Sequence, residues 1–229
     1  MNVNVHIVKR VQLNTGKKPR HRPVDLAKRE AILDAARDEF FTTGFAAASI
    51  EAVAEAAHVS KVTIYNRFGG KEALFSAVIE RACSVMGVGL TDLIDDHDDL
   101  RQQLVMFGEK AVTFLTLPHI IRFEKHIAVE SEARPEVGEL FLNAGPRRMR
   151  QKLTELLERA VANGALEPCD CALAAGHLYG MIIGFDVFMA RFSTDQPDAD
   201  SLHRNVTVAV DRFLAAYGSE ELRVPASAR

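Results

Sequence analysis

Cysteine is scarce in this chain: three residues in 229, with no second pair to set beside Cys169 and Cys171. That excludes a disulfide framework. It also leaves Cys169, Cys171 and His177 short of the ligand number and spacing of a structural zinc site, so no metal is expected. No apolar run follows the basic N-terminus, as a signal peptide would require, and the expected compartment is the cytoplasm. No stretch alternates apolar and polar residues between turn signals, and no repeat recurs. Glycine-rich phosphate loops, nucleophile elbows and paired carboxylates are missing too. His119 and His126 lie seven apart on one helical face but form no His-Glu-x-x-His motif. Neither an enzyme nor a cofactor is expected.

What is present is a chain with 48% hydrophobic residues, enough for a substantial core, and 26% charged residues. Its net charge of −3 conceals an asymmetry: residues 1–71 carry a net +5 and the remainder −8. A basic end on an acidic body suits a polyanion partner at one end only, although a basic tail on an acidic globule has the same signature.

Helical periodicity runs through almost all of the sequence, so the expected class is all-α. Residues 1–24 lack sustained periodicity and read as a flexible basic arm. Asp25 is placed to cap a helix to about Thr43, with Ile32, Leu33, Ala36 and Phe40 inward and Gly44 closing it. Ser49 caps a second helix carrying Ile50, Val53, Ala54 and Ala57. Ser60 caps a third, from Lys61 to Phe68, on which Ile64 and Phe68 share the inner face. Lys61, Asn66 and Arg67 fall on the opposite side, where an exposed helix meets phosphates and base edges. Three helices of about 45 residues bury little alone, so this unit must lean on its neighbours. A fourth helix starts near Lys71. Beyond it the spacing predicts helices over 102–117, 119–133, 138–162, 170–192 and 200–217.

Residues 28–80 resemble the DNA-binding domain of the TetR family of bacterial transcriptional regulators. The landmarks are Arg29-Glu30-Ala31-Ile32-Leu33-Asp34-Ala35-Ala36, Phe40, Gly44-Phe45, Ser49-Ile50, Val53-Ala54, Val59-Ser60-Lys61, Thr63-Ile64-Tyr65, Phe68 and Lys71-Glu72-Ala73-Leu74-Phe75. The stretch from Arg122-Phe123 through Glu130, Pro135-Glu136 and Phe141 to Gly145-Pro146 is similar to the C-terminal domain of the AefR-type repressors. The resemblance implies a helix-turn-helix at about 49–68 within a DNA-binding domain at 25–72. It further implies a helical effector-binding and dimerisation domain at 73–217, followed by a tail at 218–229. Ser49 and Ser60 then cap helices or donate to phosphates. Val62 and Thr63 approach bases, Tyr65, Asn66 and Arg67 face the groove and its backbone, and Lys71 grips a phosphate; Tyr65 has the alternative of packing on the first helix. Two positions depart from the family pattern, His58 and Val62, where glycine is usual. Histidine tolerates the positive φ that the turn requires, while valine blocks the tightest approach to bases.

The implied function is a sequence-specific transcriptional regulator: a ligand-responsive homodimeric repressor of a palindromic operator, with a small and apolar effector. Phe107, Phe114, Phe123, His126, Met149, Tyr179 and Phe185 are the candidate lining of its ligand cavity. The apolar run 171–190 is long enough to span a membrane. However, it contains His177 and Asp186, and its Gly176, Gly180 and Gly184 mark one face for close helix packing, so it reads as the dimer interface. The alternatives are an architectural protein that coats DNA without sequence preference, and a helical-bundle enzyme with a helix-turn-helix-like start.

Overall fold

The computed structural model describes residues 22–87, 100–193 and 197–220. The basic arm, except for its last residues, and almost all of the C-terminal tail lie outside these. Ten helices occur among the described residues: α1 (Arg22–Ala47), α2 (Ile50–Ala56), α3 (Lys61–Phe68), α4 (Lys71–Gly87), α5 (Leu100–Leu115), α6 (Pro118–Ala133), α7 (Pro135–Ala144), α8 (Pro146–Ala162), α9 (Cys171–Ala190) and α10 (Ala199–Tyr217). There is no strand among them, only an isolated bridge between Leu166 and Gly218. The all-α expectation holds.

Helix starts follow from local chemistry. Proline opens α6, α7 and α8, where its missing N–H breaks no helical bond. Side-chain oxygens of Ser49, Ser60, Asp170 and Asp198 accept from amides in the first turns of α2, α3, α9 and α10.

Three expectations need correction. The first helix begins at Arg22, so Asp25 lies inside it and is not its cap. The single helix expected over 138–162 is two, because Gly145 leaves helical geometry (φ −121°, ψ −88°) and Pro146 cannot continue the hydrogen-bond ladder. A Cβ on Gly145 would stand 3.0 Å from Cys83 Sγ and Ile79 Cγ2, so α4 passes directly against this break. The apolar run at 171–190 is likewise not a regular helix, since Gly184 adopts φ 53° and ψ −164° and kinks it.

Two apolar cores organise the helices. One lies among α5, α8, α9 and α10, around Phe107, Leu157, Leu178 and Phe213. Arg101 fastens its flank, donating to Asp211 on α10 at 2.7 and 3.2 Å. The other gathers Ile32, Phe40, Ile64 and Phe75 of the first four helices together with Phe123, Ile127, Val137 and Ala144 of α6 and α7. The small N-terminal unit therefore borrows a wall from the rest of the chain. The seam is aromatic: Phe41 stacks on Phe123 with centroids 4.2 Å apart, and Phe75 stands 6.1 Å from Phe123.

Beyond that stack, α6 also grips the end of α1. Gly44 turns the chain at φ 81°, and Glu130 Oε2 accepts the Ala46 N–H at 3.0 Å. A Cβ on Gly44 would overlap Glu130 Oε1. Gly44→Ala is expected to lose about 2 kcal/mol of stability, from left-handed backbone strain and displacement of this carboxylate. Urea unfolding monitored by circular dichroism measures it, and a loss below about 0.5 kcal/mol would contradict the account.

Candidate functional site

Two features converge on function: the outer face of α3 and a cavity in the C-terminal half. Between α2 and α3 the chain turns at His58, the one non-glycine residue with positive φ (52°) among those described. Histidine thus serves where the family pattern has glycine. The Val59 N–H bonds to Ala54 O at 2.9 Å and closes the turn. Ser60 Oγ accepts the Thr63 N–H at 3.2 Å and lies 2.9 Å from Thr63 Oγ1. Ile64 is fully buried, which sets the rotation of the helix. Val62 (65% exposed), Tyr65 (53%) and Asn66 then face outward. Tyr65 does not pack into the core, so the outward alternative is the observed one.

Charges around this face are already partnered. Lys61 Nζ lies 2.6 Å from Glu51 Oε1 on α2, and this bond raises the lysine pKa and lowers that of the glutamate. Ser49 caps α2 through the Ala52 N–H at 3.3 Å. Arg67, in the last turn of α3, is half-buried. Lys71, at the start of α4, has partners within the chain. Its Nζ donates to Ala46 O at 3.0 Å and lies 4.9 Å from the centre of the Phe45 ring. Burial lowers its pKa. The ammonium thus holds the end of α1, beyond Gly44.

The cavity measures about 280 Å³ and opens between α1, α4, α5, α6, α7, α8 and α9. Of the residues expected there, Phe114, Phe123, Met149 and Tyr179 line it. The other three do not. Phe107 is 2% exposed within the core, His126 lies on the solvent side of α6, and Phe185 is 71% exposed on α9, beside Phe188. Phe41, Cys83, Glu124 and Arg150 also line the cavity and were missed. Glu124 had a legible signal, as a carboxylate among Ile120, Phe123 and Ile127 on the inner face of α6. Burial raises its pKa, and Arg191, 3.1 Å away, draws it partly back. Burial, with Glu124 nearby, raises that of Tyr179, and burial pushes the Cys83 thiol up to about 11.

The glycines of α9 leave open space around them, Gly176 at the rim of the cavity. A Cβ on Gly176, Gly180 or Gly184 would meet nothing within 4 Å. Beside them Leu173, Phe185, Phe188 and Phe192 are half-exposed or more. The Cys169, Cys171 and His177 group does not converge: His177 Nδ1 pairs with the Tyr217 hydroxyl at 2.6 Å, and Cys171 Sγ approaches Cys169 O at 3.7 Å.

Comparison with known proteins matches two family descriptions. Residues 32–78 match "Bacterial regulatory proteins, tetR family", and residues 102–219, more than half of the chain, match "AefR-like transcriptional repressor, C-terminal domain". Among solved structures, a Mesorhizobium loti protein assigned to the TetR-family transcriptional regulators is 26% identical. Its TM-score is 0.69, over 84% of this chain and 98% of that one. The flavonoid-responsive regulator FrrA is 27% identical, with a TM-score of 0.66 and the same coverage. SmeT, repressor of the Stenotrophomonas maltophilia multidrug efflux pump SmeDEF, is 25% identical in its triclosan complex, with a TM-score of 0.63 over 87% and 96% of the two chains.

The geometry at Lys71 makes a direct prediction. Lys71→Met removes a charge-assisted hydrogen bond and a cation–π contact, and should cost about 2 kcal/mol of stability. Denaturant unfolding reads this without DNA. An unchanged midpoint would mean that the Ala46 contact contributes nothing.

Proposed function

The chain belongs to the TetR family of bacterial transcriptional regulators, and from that premise we propose that it acts as a cytoplasmic homodimer that represses transcription until a small molecule enters its cavity. The observation that carries the DNA-reading part is α3: a capped helix whose rotation is set by Ile64 and which turns Val62, Tyr65 and Asn66 outward. Two such helices would enter successive major grooves of a palindrome, about one helical turn apart. In this reading Asn66 and Val62 supply base preference, Val62 against a thymine methyl. Thr63, bonded to Ser60, assists them. Ser49, Ser60, Tyr65 and Arg67 meet the backbone, and Lys61 joins them by exchanging Glu51 for a phosphate. Lys71 acts indirectly by holding the end of α1.

The bare glycine face of α9 and its exposed phenylalanines fit a second copy of the chain. The cavity fits an effector, and it abuts both α1 and α6. An effector relieves repression only if it binds the non-binding conformation more tightly, by several kcal/mol for a near-complete switch. The SmeT complex with triclosan and the flavonoid response of FrrA support a small-molecule effector of the same general kind here. No catalytic role is assigned.

Selecting duplexes from a random pool tests the reading. A palindromic motif should emerge, preferred over random DNA by about a thousandfold or more. An architectural protein would bind both alike. Asn66→Ala should cost about 1–3 kcal/mol and relax preference at one position of each half-site, whereas Lys61→Ala should weaken all duplexes and reduce the salt slope by about one. Gly180→Leu should shift the protein from dimer toward monomer in sedimentation, and an unchanged dimer would remove α9 from the interface.

A further inference from the structure

The wall of the cavity is almost wholly apolar, and phenylalanine rings from four helices shape it: Phe41 from α1, Phe114 from α5, Phe123 from α6 and Phe141 from α7. Flat faces at several angles favour a flat guest. A volume of about 280 Å³ leaves space for a molecule of one or two rings.

Charged and polar groups interrupt this wall at two places along α9. At one, Tyr179 stands near Glu124, whose carboxylate is paired with Arg191 at 3.1 Å. At the other, Arg150 reaches the first turn of α9, where its guanidinium is 3.5 Å from Ala172 O. Positions 172 and 179 are two helical turns apart, about 10 Å along the axis. Arg147 also lines the cavity, but Glu139 and Asn143 occupy its guanidinium at 3.1 and 2.8 Å. Arg150 has no carboxylate partner among the described residues, and its single carbonyl contact is at the limit of a hydrogen bond. The cavity thus has an uncompensated cation at one end and an acceptor carboxylate at the other. An anionic group is drawn to the guanidinium, and a hydroxyl finds its acceptor at the Glu124 carboxylate, so a guest carrying both has one orientation.

We infer that the cavity binds a flat aromatic carboxylic acid bearing a hydroxyl at its far end, with the ring among the phenylalanines, the carboxylate on Arg150 and the hydroxyl donating to Glu124. This rests on the ligand-responsive reading above and gives its effector a chemical class. Burial strengthens the second contact, because a carboxylate of raised pKa is a better acceptor. The guanidinium matches a carboxylate geometrically as well as by charge.

Calorimetry on the full chain without DNA tests this with three probes: 4-hydroxycinnamate, its methyl ester, and cinnamate, which lacks the hydroxyl. The hydroxy acid should bind at least tenfold more tightly than either of the others. Arg150→Gln should remove about tenfold of its affinity while leaving the ester unchanged, and Arg150→Lys should restore part of the loss. Glu124→Gln should erase most of the preference for the hydroxy acid over cinnamate. The inference is overturned if the ester binds as tightly as the acid, or if Arg150→Gln weakens both alike. It is also overturned if none of the probes binds a protein that still recognises its selected operator, a result that leaves the regulator reading standing. Conversely, tight binding of the hydroxy acid by a protein that selects no operator would support the cavity assignment and defeat the regulator.

Discussion

Phe41 and Phe123 stack at 4.2 Å, and this contact joins the two halves of the molecule. It exists because the helix-turn-helix unit is too small to enclose its own core. Ile32, Phe40, Ile64 and Phe75 share one buried cluster with Phe123, Ile127, Val137 and Ala144 of α6 and α7, which complete its wall. Small units that bury little surface are marginal alone, and such borrowing offsets the shortfall. The consequence is mechanical as well as energetic: α3 is rotated by Ile64, and Ile64 packs in a core of which α6 is part.

The same α6 touches the cavity. Phe123 and Glu124 line it, and Phe41, on the first helix of the reading head, lines it too. Two turns beyond Phe123, Glu130 accepts the Ala46 N–H at the α1–α2 junction, and Lys71 holds the carbonyl of the same residue. Ala46 is therefore bonded on both sides, from α6 and from α4. A guest that displaces Phe123 disturbs a helix anchored seven residues later to the turn that positions α2 and α3. Close-packed interiors pass such strain on instead of absorbing it, so the cavity and the reading face have a short physical route between them.

How much of this was readable from residues alone follows the range of the interactions. The helix caps at Ser49 and Ser60, the positive φ at His58 and the inward Ile64 depend on neighbours a few positions away, and local chemistry was enough to place them. The intramolecular contacts of Lys71 were not legible, because its partners, Ala46 O and the Phe45 ring, lie 25 and 26 residues back along the chain. The uninterrupted helix expected at 138–162 was undone by Pro146, a local signal that amphipathic periodicity on both sides obscured. Cavity membership was the least legible property. Phe107 and Phe114 both carry inward periodicity on α5, yet one is core and the other lines the cavity. Phe185 shares the apolar composition of α9 but lies beyond a kink that no period count reveals.

That kink bears on what α9 is for. Three glycines in one helix cost roughly 1 kcal/mol each relative to alanine, and Gly184 alone uses the freedom, at φ 53°. Gly176 borders the cavity, where its missing side chain leaves space, whereas Gly180 gains nothing within a single chain, since no atom approaches the place where its side chain would be. Length and hydropathy pass this helix as a membrane span, the only single helix among the described residues to do so. Its polar members argue otherwise. Asp186 bonds Asn205, and His177 bonds Tyr217, both on α10, so these side chains are engaged by a helix that already covers one flank. Beside His177 the exposed face presents Leu173, Gly180 and Phe188, and Phe185 beyond the kink extends this apolar stripe. A lipid environment would gain little from missing side chains on that stripe, whereas a second helix laid against it gains closer contact at each glycine.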